Sequence, residues 1–452
     1  MGLAVAEEAR RIFELQAAYK WEVKASTLER RKETLRRLRA VIVTRASDIQ
    51  AALTEDLVKP AGESASEVES VVRAIDEALE NLSGWAQPVL LQPSPGFEGT
   101  EPAIVYEGRG VCLIFGPWNL PFQLLFEPLV PALAAGNTAI LKPNEVTPTV
   151  ARVSADIVRA VFDERDVAIF VGGIEVANIL LELPVDHIFF TGSPAVGKIV
   201  MAAAANHLAT VTLELGGKCP AIVDGTHDLA ESARLVAFGR HLNGGQVCLA
   251  PDHVWVLEEV KDLFLQHYNA WIDEHLYRDG QLDPGAVSHI VDERNLQRVL
   301  SYIEDARERA ATIVRGGDRS SVAADLIEPT IIIDPPLDSQ VMTQEIFGPV
   351  LPVQTFTEVS EVIDYVRRGQ KPLAMYVYSD DSDFIDSILQ GTSSGGATIN
   401  GFATHIGESQ LPFGGVNHSG MGRYHGIHGF REFSNERSIV RHVTPQATPR
   451  RS

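Results

Sequence analysis

From residue 101 to 225, short apolar runs alternate with amphipathic stretches of helix length. This alternation constrains the fold more than any other feature of the chain. "PAIVYEGRGVCLIFG" (102–116) predicts strands bounded by glycines, and "AAGNTAILKPNE" (134–145) a short buried strand. "TPTVARVSADIVRAVF" (147–162) follows as a helix and "VAIFVGG" (167–173) as a strand. "VDHIFFTGSPAVGKIVMAAAANHLA" (185–209) reads as strand, glycine turn and helix, and "TVTLELGG" (210–217) as a strand again. Strands alternating with helices build a parallel sheet covered on both faces. The rhythm restarts after 225 and runs to about 400: a helix near 227–242, a strand at "HVWVLEE", a long helix over 260–275, then further alternation. The simplest organisation is two α/β domains joined near 216. Residues 3–80 are mostly helical by period, interrupted at "LVKPAGES" (57–64), with Ser64 or Ser66 as the cap of the next helix. Residues 86–100 read as a surface crossing. The last 50 residues, rich in Gly and His, read as irregular, and the tail "TPQATPRRS" as frayed.

The net charge is −21, from 39 basic and 60 acidic side chains, which argues against binding of nucleic-acid phosphates. The one basic run, "ERRKETLRRLRA" (29–40), fits the polar face of a helix that turns Leu35 and Leu38 inward. Three scattered cysteines, Cys112, Cys219 and Cys248, make neither a disulfide framework nor a metal site, and a reducing, cytoplasmic setting is expected. The first ten residues match neither a signal peptide nor a myristoylation pattern. No apolar run reaches the roughly 18 residues needed to span a bilayer.

Five short stretches carry candidate chemistry. In "FFTGSPAVGK", Gly192 and Gly197 lie between a strand and a helix, where exposed amides suit a phosphate; a plain strand-to-helix link reads the same way. In "ILKPNE", Lys142 ends a buried strand, at the edge where α/β sheets gather ligands, so Lys142 and Glu145 are candidates to bond a ribose. In "FGPWNLPF", Asn119 is held between Pro117 and Pro121, and an amide held in this way is what an oxyanion needs. Glu214 closes the strand "TVTLE"; burial there raises a carboxyl pKa and suits a general base. Cys248 lies in "HLNGGQVCLAPDHV", beside Gly244 and Gly245 and 34 residues after Glu214. It is either a small buried hydrophobe or a nucleophile. The end of the preceding helix would oppose a thiolate, so activation must come from a cofactor or a base.

Taken together, "PWNLPF", "LKPNE", "FTGSPAVGK", "LELGGK", "NGGQVC", "EIFGP" and "LPFGG" resemble the aldehyde dehydrogenase superfamily in order and approximate spacing, over nearly the whole chain. "CLAPDHV" and "PFGGVNHSGMGRYHG" resemble its class-3 branch, which includes fatty, benzaldehyde-type and coniferyl aldehyde dehydrogenases. The resemblance implies an α/β fold with a Rossmann-like cofactor domain over 1–215. It implies a catalytic domain over 216–415 and a C-terminal return and oligomerisation segment over 416–452, with 86–107 partly in that small extension. It implies Cys248 as nucleophile, Asn119 and the Cys248 N–H as oxyanion hole, and Glu214 as base. Lys142 and Glu145 would hold the adenine-side ribose, and Gly192, Ser193 and Gly197 would form the pyrophosphate turn. Glu345 and Phe347 would position the nicotinamide ribose and ring, with NAD or NADP as cofactor and a homodimer as the assembly.

The chain departs from the usual pattern at Leu120, often Tyr, at Gly244 and Val247, and at Asn417. None of these removes a catalytic group. Leu120, Phe126, Phe238, Leu242 and Phe413 are candidates for an apolar passage to Cys248, favouring aromatic or medium-chain aliphatic aldehydes; each fits ordinary core as well. A CoA-acylating enzyme of the same superfamily typically lacks the Glu214 carboxylate. A non-catalytic protein on this fold would not need the full set of catalytic groups.

Overall fold

The computed structural model describes residues 2–443; the tail expected to fray lies outside the described residues. Four helices open the chain: Gly2–Lys24, Leu28–Thr44, Ala46–Leu57 and Ala61–Trp85. The basic run is the polar face of the second, with Leu35, Leu38 and Ile42 buried. The cap expected at Ser64 or Ser66 is not used. Pro60 takes that position, its fixed φ suiting the entry to a helix, and Ser64 is buried one turn inside.

The first large sheet runs Val167–Ile169, Thr138–Lys142, Val111–Phe115, His187–Thr191, Thr210–Glu214 and Gly420–Met421. Its first five strands are parallel, and Gly420–Met421 adds an antiparallel edge. Val111–Phe115 and Thr138–Lys142 are buried along their whole length, as a sheet covered on both faces requires. The chain steps outward from Val111–Phe115 on one side and returns at His187–Thr191 on the other. That reversal opens a crevice at the carboxyl ends of the strands.

A second sheet of seven strands follows: Thr312–Arg315, Thr330–Ile333, Val350–Phe356, His253–Leu257, Pro220–Val223, Ala374–Tyr378 and Gly396–Ile399. Only its first pair is antiparallel. The chain passes from one sheet to the other within residues 215–219.

The described part of the last fifty residues is not all irregular. Helix Gly426–Glu432 leads into strand Ser434–His442, which pairs residue for residue with Thr100–Gly108 in a small antiparallel sheet with Val89–Leu90. Ser434–His442 is the edge strand, and eight of its nine residues are exposed. Its sequence, "SNERSIVRH", has no apolar face to alternate against a polar one, so no period betrays it. Among the described residues no helix is long and apolar enough to cross a membrane.

Candidate active site

Three loops meet at the carboxyl edge of the first sheet. Phe115 is in register with Lys142, and the chain turns from that strand into Gly116–Pro121. This places Asn119 against the loop that carries Cys248. Asn119 is 4% exposed, and its Nδ2 donates to the Gln246 carbonyl at 2.9 Å, two residues before Cys248. The Cys248 loop is turned by Asn243, Gly244 and Gly245, all at positive φ. A methyl on Gly244 would lie 2.5 Å from the Ser288 carbonyl oxygen, so both conformation and space require glycine there.

Cys248 is partly exposed, whereas Cys112 and Cys219 are buried. Burial pushes its thiol pKa up, and the Glu345 carboxylate, Cys219 and Glu214 push in the same direction. The opposition to a thiolate expected from the helix end therefore comes chiefly from burial and two carboxylates. The helix itself ends at His241, and a single irregular turn intervenes.

Glu214 ends its strand beside Thr191 and opposite Gly420, and is 4% exposed. Neither carboxyl oxygen has a hydrogen-bond partner. Burial raises its pKa well above the carboxylate range; Arg423 partly offsets this and Glu432 adds to it. Glu345 is half-buried, with its Oε1 buried and unpartnered. Its pKa is raised to about 8 by burial first and Asp252 second, against the Gly217 N–H. A side chain at Gly216 would run into this carboxylate. The Phe347 ring meets Trp118 edge-on at 5.3 Å, which brings "EIFGP" against the Asn119 loop. Arg298 holds this stretch by donating to the Ile346 carbonyl at 2.7 Å.

At the crevice, the Lys142 Nζ lies 3.1 Å from the Glu145 carboxylate. Ser193 caps helix Pro194–Ala205, its Oγ accepting from the Val196 N–H at 3.4 Å. Gly197 lies one turn inside that helix. It is buried, and a methyl there would come within 2.9 Å of Leu215 Cδ2, so its role is close packing of the helix on the strand end. Not anticipated from the sequence are Val171, Ile174, Val196 and Ile199, which expose apolar side chains on and beside the helices that flank the glycine turn.

The five candidate passage residues separate. Leu120 and Leu242 are half-buried and Phe413 is 5% exposed. Phe238 is 41% exposed and meets Phe402 edge-on. Phe126 has no exposed surface and packs on Phe122 at 4.7 Å, so it is core and lines no passage. Sequence reasoning missed Lys59, Glu63 and Glu67, which reach this site from the start of helix Ala61–Trp85. The signal was there: helical spacing puts Glu67 on the same buried stripe as Val68, Val71 and Ile75.

The family model for the aldehyde dehydrogenase family matches residues 2–439. The dimeric NADP-preferring aldehyde dehydrogenase of Canis lupus familiaris is 37% identical over 418 residues, 92% of this chain and 91% of that one. The coniferyl aldehyde dehydrogenase of Pseudomonas sp. (strain HR199 / DSM 7063) is 35% identical over 421 residues, 92% of this chain and 87% of that one. A solved structure, the substrate-bound state of Staphylococcus aureus AldH, superposes with a TM-score of 0.92 at 37% identity, covering 97% of this chain and 95% of that one. The chain belongs to the aldehyde dehydrogenase family and oxidises aldehydes with NAD(P) as the acceptor.

Proposed function

We propose that Cys248 is the nucleophile of a hydrolytic aldehyde dehydrogenase whose substrates are aromatic or medium-chain aliphatic aldehydes. The observation that carries this is the convergence on one loop of Asn119, bonded two residues before Cys248, with the unpartnered buried carboxyl of Glu214 at the adjoining strand end. The Cys248 thiol gives its proton to water and, as the thiolate, attacks the aldehyde carbon. The resulting oxyanion is met by the second Nδ2 hydrogen of Asn119 and by the Cys248 N–H. A nicotinamide cofactor held in the crevice would supply the hydride acceptor, and loss of hydride from the thiohemiacetal carbon would leave a thioester on Cys248. Glu214 then takes a proton from the attacking water and returns it as the thiol is released with the carboxylic acid.

The crevice fits a dinucleotide. Glu345 offers an unpartnered buried carboxyl oxygen to a ribose diol. Lys142 and Glu145 offer a donor and an acceptor to the other ribose, and the backbone at Gly192 and Ser193 leads into a helix N-terminus suited to pyrophosphate. Exposed Ile174, Val196 and Ile199 suit the faces of the adenine, and Phe347 backs the nicotinamide. Lys142 beside Glu145 is compatible with both NAD and NADP. The relative named NADP-preferring supports use of the latter.

Half-buried Leu120 and Leu242 with Phe413 support an apolar passage, as does the relative named for coniferyl aldehyde. The strand Ser434–His442, a free nine-residue edge, and the relative named dimeric support a homodimer. Three unpaired cysteines support a cytoplasmic setting. In the test, kcat/KM is read for benzaldehyde and hexanal with NAD and NADP side by side, in the wild type and in Cys248→Ala. The variant is expected to form no NAD(P)H. Full activity in it, or strong stimulation by CoA with an acyl-CoA product, would overturn the proposal.

A further inference from the structure

We propose that the buried Lys59–Glu67 ion pair is a positioning device for the oxyanion donor Asn119. The inference rests on the reading of Asn119 as that donor. Lys59 and Glu67 have no side-chain exposure and bond to each other. Lys59 Nζ also donates to the Asn119 backbone carbonyl at 2.9 Å. The other carboxyl oxygen of Glu67 accepts the backbone N–H groups of Phe122 at 3.2 Å and Gln123 at 3.1 Å. The pair therefore grips the Asn119 loop at both ends, by its carbonyl at 119 and by its amides at 122 and 123.

The same helix start also holds the cysteine loop. Glu63 accepts from the Asn243 N–H at 3.1 Å and from Ser288 Oγ at 2.6 Å. Asn243 Nδ2 in turn donates to the Asn119 carbonyl at 2.9 Å and to the Gln246 carbonyl at 3.1 Å. Asn119 Nδ2 closes the circuit on Gln246. One amide hydrogen is thereby fixed and the other is left in a defined direction beside Cys248.

A buried ion pair adds little stability over apolar residues of the same volume, because both charges lose their hydration. What this pair does is geometric. Its bonds run to backbone atoms of a single loop, and a displacement of about 1 Å at a reacting centre costs on the order of a hundredfold in rate. Lys59 and Glu67 touch neither substrate nor thiol and act through Asn119.

A double-mutant cycle tests this, with kcat for benzaldehyde at saturating NADP as the readout. Asn119→Ala alone should lower kcat by about 10²–10³-fold, the usual effect of losing one oxyanion donor. Lys59→Met alone should lower it by about tenfold or more, but by less than about threefold when Asn119 is already Ala, because interacting residues are non-additive. KM for NADP should not move in any of the four proteins. An equal loss from Lys59→Met in both backgrounds would overturn the positioning role while leaving Asn119 as the donor. A near-normal rate in Asn119→Ala would overturn the reading of Asn119 and the inference with it. If Lys59→Met does not fold, Glu67→Gln takes its place in the same cycle, with the same two outcomes. It keeps the side-chain volume and the acceptor for Phe122 and Gln123.

Discussion

The two walls of the site are built on opposite principles. On the oxyanion wall, Lys59, Asn119, Asn243 and Gln246 bond one another, and the Asn119 carbonyl receives two donors. On the facing wall, both oxygens of Glu214, Oε1 of Glu345 and the Thr191 hydroxyl are buried without a partner. Unpaired buried polar groups destabilise a fold. The first wall is therefore largely paired within the protein, with Asn243 Oδ1 as its one buried atom lacking a partner. The second is left open for water and cofactor to complete, at some cost to stability.

The largest expected effect in this contrast is at Glu214. Glu214→Gln should lower steady-state turnover by about 10²–10⁴-fold, the range for loss of a general base. On the reading that Glu214 acts on the hydrolytic water, after the thioester has formed, stopped-flow absorbance should still show a burst of one NADPH per site. Loss of the burst with the steady state would place Glu214 before the thioester and blur the distinction between the walls.

A smaller effect is expected at the thiol. Burial, Glu345 and Glu214 hold Cys248 in its neutral form. Iodoacetamide should therefore label it several-fold faster with NADP present than without, as the thiolate fraction sets the rate. Equal labelling rates would mean that occupancy of the open wall does not reach the thiol.

Smaller still is the pH dependence of stability. The Glu345 carboxyl, raised to about 8, keeps its proton in the folded chain where the unfolded chain has lost it. Its contribution is thus full below the ordinary carboxylate range and is lost as pH rises through about 8. Buried His187, His241 and His253 are lowered to about 3 and act on the other limb: their contribution is full above the ordinary imidazole range and is lost as pH falls. Glu345→Gln should flatten only the fall of Tm between the ordinary carboxylate range and about pH 8, and should raise KM for NADP. An unchanged fall over that window would show that Glu345 is already ionised in the fold. The smallest effect is at Phe238, which lies outside both walls with 41% of its surface exposed. Phe238→Ala should change stability by no more than about 0.5 kcal/mol. A large fall in kcat/KM for benzaldehyde would return it to the substrate passage.

Much of this was legible in the chain itself. The alternation over 101–225 anticipates the parallel sheet, and the ends of its strands carry Lys142 and Glu214. Gly192 and Ser193 fall at a helix start as expected, whereas Gly197 serves packing, a distinction that depends on where Leu215 points. Phe126 illustrates a different limit: an aromatic near a site looks the same in sequence whether it lines a passage or fills the core. The Lys59–Glu67 pair was hidden because composition treats charge as surface. Only the phase of Glu67 on its helix marks it as buried. Strand Ser434–His442 was hidden because its partner, Thr100–Gly108, lies more than three hundred residues earlier.

That long-range pairing bears on how the molecule assembles. Gly420–Met421 zips onto Leu213 and Glu214, and the Leu215 N–H is satisfied by the Ser419 carbonyl at 3.1 Å. Until residue 421 has emerged from a ribosome, the strand that ends in Glu214 is an open sheet edge with unpaired amides, the kind of edge that recruits foreign strands. Closing it requires contacts of very large sequence separation, which form late and slowly. The carboxyl proposed to release the product is thus set in place by a segment synthesised about two hundred residues after it, and a nascent chain stalled before Gly420 carries Cys248 and Asn119 but not the finished edge beside them.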